Sequence, residues 1–130
     1  MVDKTQLTML TSGVSAWNVW RTAHADLRPE LSEAHLFGLD LVGINLAGAD
    51  LRKADFRGTN LSDAVLTGAN LKGANFFKAV LDRADLAGAN LIDAQFLRAD
   101  QLVAAKNWQL AYRAVDLACG APIPQSSGQS

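Results

Sequence analysis

The chain has 130 residues, with 12 Lys and Arg against 13 Asp and Glu, and a formal net charge of −1. This length predicts a single domain over 1–130, and the near-neutral charge gives no reason to expect nucleic-acid binding. Cys119 is the only cysteine, which excludes a disulfide within one chain. No secretion signal is recognisable, and no stretch approaches the roughly 20 apolar residues of a membrane span, so we predict a cytoplasmic location without membrane association.

The first predicted element is a helical cap over 4–26. Apolar residues recur there at spacings of three and four, namely at Leu7, Leu10, Val14 and Trp17. This is the period of a helix with one apolar stripe. Gly13 lies inside the pattern and destabilises a helix by roughly 1 kcal/mol relative to alanine, so two shorter helical pieces are the alternative.

Repeating coils are predicted over 27–101, because a large apolar residue occupies every fifth position. The series is Leu31, Leu36, Leu41, Leu46, Leu51, Phe56, Leu61, Leu66, Leu71, Phe76, Leu81, Leu86, Leu91 and Phe96, and it ends at Gln101. On a helix these side chains would spiral around all sides, and on a flat strand they would alternate between faces. The chain must therefore bend once per repeat, as it does in solenoids, and the series is the predicted structural core.

A second spacing, of 20 residues, indicates that four repeats close one coil. The spacing appears in Phe56, Phe76 and Phe96, and again in Gly48, Gly68 and Gly88. Glycine at this place suits the positive φ of a tight corner. The predicted fold is an all-β solenoid with four faces and about 3.5 coils.

The repeats resemble a known motif. The sequence reads Ala-Asp-Leu at 49–51 and Ala-Asn-Leu at 69–71 and 89–91. These runs are similar to the A(D/N)LXX motif of the pentapeptide repeat family, in particular to a short member of bacterial or cyanobacterial type. The resemblance covers about 71 of the 130 residues. It implies a right-handed quadrilateral parallel β-helix.

Both ends of such a stack need a cover, because an open end exposes apolar side chains and unpaired amides. We expect Trp17 and Trp20 to cover one end, with a ligand or partner site as the alternative for these two residues. At the other end, 102–119 is predicted as a short C-terminal α-helical cap, starting at Asn107 and covering the coils with Trp108. The tail 120–130 has nothing to bury and is predicted to be disordered.

One outer column forms the candidate interaction strip: Phe37, Arg57, Phe77 and Leu97. Exposed aromatic residues in a row are unusual on a monomer and indicate a contact. Two interpretations remain open, internal packing or self-contact between two copies, and a foreign protein partner. The neighbouring Arg52, Lys53 and Lys72 are more typical of a solvated face than of a phosphate site.

No catalytic arrangement is recognisable in the sequence. The two histidines, His24 and His35, belong to no metal-binding pattern, and no nucleophile elbow or phosphate loop occurs. An interior filled by Leu and Phe leaves no pocket for a substrate. We therefore predict a non-enzymatic protein with no catalytic, cofactor-binding or metal-binding residues and no cofactor.

The favoured function is a rigid protein–protein interaction module, monomeric or weakly dimeric, with an unidentified protein partner. The resemblance implies an alternative, since quinolone-resistance members of the family act as mimics of duplex DNA that bind DNA gyrase. Duplex DNA carries one negative charge per ~1.7 Å, so a mimic of this height needs on the order of ten net negative charges. The coils hold nine acidic and seven basic residues, which argues against this alternative.

Overall fold

The computed structural model describes residues 2–113. Its helices are α1 (Lys4–Thr11), α2 (Val14–Ala23), α3 (Ala99–Val103) and a 3₁₀-helix (Trp108–Leu110). Between α2 and α3 the chain forms stacked coils joined by single-residue parallel β-bridges. No strand longer than one bridging residue occurs over 2–113, because the chain turns again after each bridge.

The bridges form four columns, one on each face of the coils. The columns are Glu30–Asp50–Asn70–Asn90, His35–Asp55–Asn75–Gln95, Asp40–Asn60–Val80 and Asn45–Val65–Asp85. Main-chain hydrogen bonds connect each coil to the next: the N–H of Leu51 donates to the carbonyl of Asn70 at 2.8 Å, and the N–H of Asn70 donates to Ala49 at 2.9 Å. Each residue in these columns is therefore 20 positions from its neighbour, whereas the last two bridges, Asp85–Lys106 and Asn90–Tyr112, span 21 and 22 positions.

The central Leu and Phe side chains of the repeats fill the interior. Thirteen of the fourteen in the predicted series are 0–3% exposed, and the exception is Phe96. The stacked rings of Phe56 and Phe76 have centroids 5.5 Å apart. Each buried Leu or Phe stabilises the fold by roughly 1.5–3 kcal/mol, so the column is the main source of stability.

The corners require a left-handed backbone two residues after each central side chain. Gly68 and Gly88 meet this requirement with φ of 65° and 70°, a region that glycine enters without steric penalty. Six corners carry other residues at φ of 58–61°, namely Glu33, Lys53, Asp63, Lys78, Arg83 and Asp93.

Two helices lie at the upper edge of the first coil. Asp3 caps α1 by accepting hydrogen bonds from the N–H groups of Thr5 and Gln6 at 2.9 and 3.1 Å. Gly13, with φ of 135°, separates α1 from α2. The range 4–26 thus contains two helical pieces rather than one continuous helix, because Gly13 adopts a φ that a helix does not allow.

Polar side chains of α2 bond directly to the first coil. Trp17 is fully buried and its Nε1 donates to the carbonyl of Asn45 at 2.7 Å. Asn18 accepts from the N–H of Asn45 at 2.8 Å and donates to the carbonyl of Gly43 at 3.1 Å. These bonds replace those that a preceding coil would make. Trp20 is half-buried, with its ring centroid 5.1 Å from that of Trp17.

The inward series shifts by one residue after Leu91, which corrects two sequence-based assignments. Phe96, expected in the core, is 63% exposed, whereas Leu97, expected on the outer strip, is 7% exposed. Leu102, 1% exposed, takes the inward place expected at Gln101. The shift buries two leucines, whereas the original register would bury a polar amide, which is unfavourable unless every hydrogen bond is satisfied. The backbone turns early, with φ of 57° at Phe96 itself.

The side chain of Gln101 provides hydrogen-bond donors to main-chain carbonyls of the coil above it. It lies in α3, and its Nε2 donates to the carbonyls of Phe76 and Ala79, both at 2.8 Å. Its Oε1 accepts from the N–H of Arg98 at 2.6 Å. The amide therefore takes a place that backbone donors fill in the other coils.

The prediction of a helix over 102–119 is wrong for the described part of that range. The chain rejoins the ladder at Lys106, whose N–H donates to the carbonyl of Ala84 at 2.7 Å, and at Tyr112, whose N–H donates to Ala89 at 2.8 Å. A continuous helix would leave those carbonyls of the preceding coil without donors.

Only the 3₁₀-helix is present near the expected helix start. Asn107 adopts φ of 57° and makes no capping bond with its side chain. Trp108 is half-buried, with the guanidinium of Arg113 5.2 Å from its ring centroid. The remainder of the predicted cap, 114–119, and the predicted disordered tail, 120–130, lie outside the described residues.

Candidate interaction surface

Phe37, Arg57 and Phe77 occupy the same outward place in successive coils, as the repeat predicts. The two aromatic side chains are 56% and 46% exposed. Leu97 does not continue the column, because it points inward. Phe96 takes its place next to Phe77, with ring centroids 5.5 Å apart in an edge-to-face arrangement. We call Phe37, Arg57, Phe77 and Phe96 the aromatic strip.

The repeat fixes the backbone beneath each outward side chain. The carboxylate of Asp55 accepts a hydrogen bond from the N–H of Arg57 at 3.1 Å. In the next coil the side-chain oxygen of Asn75 accepts from the N–H of Phe77 at 3.0 Å. Asp and Asn favour this bond to the backbone two residues on, so the A(D/N)LXX pattern itself positions the strip.

Arg57 is held in the strip by an ion pair with Asp55. Its Nε and Nη2 donate to the two carboxylate oxygens at 2.8 and 2.6 Å, and these bonds lower the pKa of Asp55. The guanidinium carbon lies 5.7 Å from the ring centroid of Phe37. Because Arg57 is exposed, the pair orders the side chain more than it stabilises the fold.

A shallow pocket of about 400 Å³ opens beside Phe77 and Phe96. We call it the Phe77–Phe96 pocket. Lys78 and Arg98 line it, and Asp100 pairs with Arg98 at 3.1 Å. The ammonium of Lys78 lies 5.5 Å from the ring centroid of Phe77.

Lys78, which lines this pocket, has an open main-chain donor. In the coil above, the equivalent N–H of Gly58 donates to the carbonyl of Phe77 at 2.8 Å. The N–H of Lys78 has no acceptor within 2–113, because the chain turns away at Phe96 before it reaches the matching position. Sequence reasoning missed this feature. The polar Gln101, with Leu97 and Leu102 spaced by five, was the available signal of the shift.

The basic group, Arg52, Lys53 and Lys72, lines a second, wider depression of about 700 Å³ on the neighbouring face. Its edge toward the aromatic strip is formed by Asn75 and Gln95.

Within the basic group the three cations differ in their partners. Arg52 donates to both carboxylate oxygens of Asp50 at 2.8 and 2.7 Å, which lowers the pKa of Asp50. Lys53 and Lys72 take part in no ion pair within the described range. Two ammonium groups therefore remain available to an anionic ligand.

The described part of the chain contains neither a cluster of metal-binding side chains nor a helix suited to cross a membrane. No three His, Cys, Asp or Glu side chains come together as metal ligands. None of the helices within 2–113 combines the length and the apolar character needed to cross a membrane.

The repeats match a family model. The model of pentapeptide repeats aligns with residues 30–68 and 69–100, with eight copies. The chain belongs to the pentapeptide repeat family. The resemblance found in the A(D/N)LXX runs is thereby confirmed, and membership implies a right-handed β-helix for the stacked coils.

Comparison with solved structures finds other pentapeptide repeat proteins that are similar to this chain. A protein of the Arabidopsis thaliana thylakoid lumen is 32% identical, with a TM-score of 0.49, over 50% of this chain and 45% of its own. A protein of the cyanobacterium Nostoc is 33% identical, with a TM-score of 0.36, over 75% of this chain and 78% of its own. HetL of Nostoc, involved in heterocyst differentiation regulation, is 26% identical, with a TM-score of 0.30, over 72% of this chain and 51% of its own.

The match thus spans about half the length of the Arabidopsis protein and of HetL. Comparison with curated proteins gives no match. Family membership therefore establishes the type of fold and leaves the role to be argued from the surface.

Proposed function

We propose that this pentapeptide repeat protein is a non-enzymatic interaction module that binds another protein through the aromatic strip. The observation that carries the proposal is the exposure of Phe37, Phe77 and Phe96, at 56%, 46% and 63%. Aromatic side chains are enriched at protein interfaces, where they provide large contact areas at a small loss of side-chain entropy.

The construction of the strip supports the same conclusion. Its backbone is held between coils by main-chain hydrogen bonds, such as Gly38 N–H to the carbonyl of Arg57 at 2.8 Å. Arg57 is further oriented by Asp55. A surface ordered before binding loses little conformational freedom when a partner docks, so more of the contact energy appears as affinity.

Charge favours a protein partner over mimicry of duplex DNA. The surface beside the strip carries the basic group on one side and Lys78 with Arg98 on the other. A DNA mimic needs a nearly continuous row of negative charge along its length. A cytoplasmic location and a monomeric or weakly dimeric state complete the proposal.

Site-specific photo-cross-linking tests the proposal. Benzoylphenylalanine replaces Phe77 in one variant and Ala87, at the same outward place on the opposite face, in a matched control. After irradiation of cells that express each variant, we expect a discrete heavier adduct from position 77 and none from position 87. Adducts of one partner from both positions, or from neither, would contradict binding through the strip, and an adduct at twice the chain mass would indicate self-contact.

A further inference from the structure

We propose that the Phe77–Phe96 pocket binds an extended, acidic segment of the partner protein, with an apolar side chain of that segment against the two rings. The inference rests on the proposed function and specifies the chemistry of the partner. It follows from three features that coincide at this place: segregated positive charge, an aromatic wall and an open main-chain donor.

Positive charge is concentrated here although the chain as a whole is slightly acidic. The two depressions are lined by five cationic residues and two acidic ones, and Asp50, which pairs with Arg52, adds a third carboxylate, so the net charge of this region is +2. The remaining seven cationic and ten acidic residues of the chain give −3. This local excess of positive charge attracts an acidic ligand to the two depressions.

The cations flank the aromatic wall on both sides. The basic group lies beyond Asn75 and Gln95, which precede Phe77 and Phe96 by two residues and one residue, whereas Lys78 and Arg98 line the pocket itself. A segment crossing Phe77 and Phe96 therefore meets positive charge before and after the rings. The matching ligand has acidic residues on either side of one apolar anchor.

The open N–H of Lys78 extends this complementarity to the main chain. Lys78 contributes two hydrogen-bond donors, its ammonium and this N–H, so a ligand at this place has to provide acceptors. A carbonyl of an extended segment or a carboxylate fits, in the manner of a strand added at an open ladder edge.

Phe96 adds a separate argument. Its φ of 57° is unfavourable for a side chain other than Gly, Asn or Asp, and its ring is 63% exposed. Phe96 therefore has neither a favourable backbone conformation nor a buried ring at this place. Its large exposed ring beside Phe77 provides an aromatic contact of the kind enriched at protein interfaces.

Selection from a random library of displayed peptides tests the ligand chemistry. Peptides of about eight residues extend over roughly 25 Å, which lets them place several side chains on either side of one apolar anchor. We expect the selected sequences to place Asp and Glu around one Leu, Phe, Tyr or Trp. A labelled copy of the most enriched peptide then gives affinities by fluorescence anisotropy.

Matched variants locate the site. Phe77→Ser and Phe96→Asn should each weaken binding by about tenfold or more, as expected for central aromatic contacts. The triple variant Lys53→Gln, Lys72→Gln, Lys78→Gln should weaken it and reduce its dependence on salt. Val19→Ser, the loss of an exposed apolar side chain on α2, and Lys106→Gln, a charge loss on another face, should leave the affinity within about twofold.

Three results would overturn the inference, and they have different consequences for the proposed function. Enriched peptides that lack acidic residues but depend on Phe77 would contradict an acidic partner segment. The proposed interaction module would not be affected by that result. Tight binding of oligo-deoxythymidine with the same Phe77 dependence, without acidic peptides, would replace the protein segment by single-stranded nucleic acid. A library that yields no peptide dependent on Phe77 or Phe96 would remove both the inference and the strip.

Discussion

The one-residue shift after Leu91 makes a quantitative prediction about two adjacent side chains. Leu97 is 7% exposed and Phe96 is 63% exposed, so truncation to alanine should be more damaging at Leu97, although Phe is the larger residue. In the unshifted register the order would be reversed.

The expected magnitudes follow from what each side chain contacts. Leu→Ala in a core destabilises by about 2–5 kcal/mol, and the place of Leu97 in the last full layer, with slight exposure, favours about 2–3 kcal/mol. Phe96→Ala removes chiefly the edge-to-face contact with Phe77, which is worth about 0.5–1.5 kcal/mol. The difference between the two variants is then about 1–2 kcal/mol.

Urea unfolding followed by circular dichroism measures this difference. With a slope of about 2 kcal/mol per molar urea, Leu97→Ala should lower the midpoint by about 1–1.5 M and Phe96→Ala by about 0.25–0.75 M. Leu97→Met, which keeps the volume, serves as control and should lose less than about 1.5 kcal/mol. A Phe96→Ala midpoint equal to or below that of Leu97→Ala would refute the shifted register.

Three further predictions concern the core, the upper edge and the ion pairs. Leu71→Ala, fully buried in a central layer, should cost about 3–5 kcal/mol in the same urea assay, and a loss no larger than that of Leu97→Ala would count against the core. Asn18→Ala should cost about 1–3 kcal/mol in thermal unfolding, because it leaves the N–H of Asn45 without its partner; an unchanged melting temperature would show that this bond does not hold α2 to the coil. Arg52 lowers the pKa of Asp50 below its ordinary value of 3.8, so the contribution of this carboxylate to stability is complete above about pH 5 and declines as the pH falls through and below 3.8. Asp50→Asn should therefore flatten the loss of stability over that acidic range, and an identical pH profile would contradict the coupling.

The sequence predicts the repeating part of the fold because one residue type performs the same task in each coil. A Leu or Phe at every fifth place has only one way to face inward each time, so the columns from Leu31 to Leu91 follow directly. The same regularity conceals the shift. Phe96 satisfies the period by residue type, and only the following Gln101 and Leu102 indicate that another register buries more apolar surface.

The ends of the stack were less predictable, for a related physical reason. Asn18 and Gln101 complete the ladder with side-chain amides that reach main-chain groups 27 and 25 residues away. Hydrogen bonds of this kind leave no periodic pattern in the sequence. The candidate surface is likewise only partly predictable from the sequence. The positions of Phe37 and Phe77 follow from the repeat, whereas the exposure of Phe96 and the open N–H of Lys78 result from the shift.

The bridge register of 20 residues also determines which insertions such a chain can accept. A duplicated segment 51–70 would add one layer of ~4.8 Å and carry the Phe77–Phe96 pocket farther from α1 and α2 without rotating it. An inserted single pentapeptide would instead turn everything below it by one face. Gains of four repeats therefore change the reach of the binding surface, and gains of one repeat change the direction in which it points.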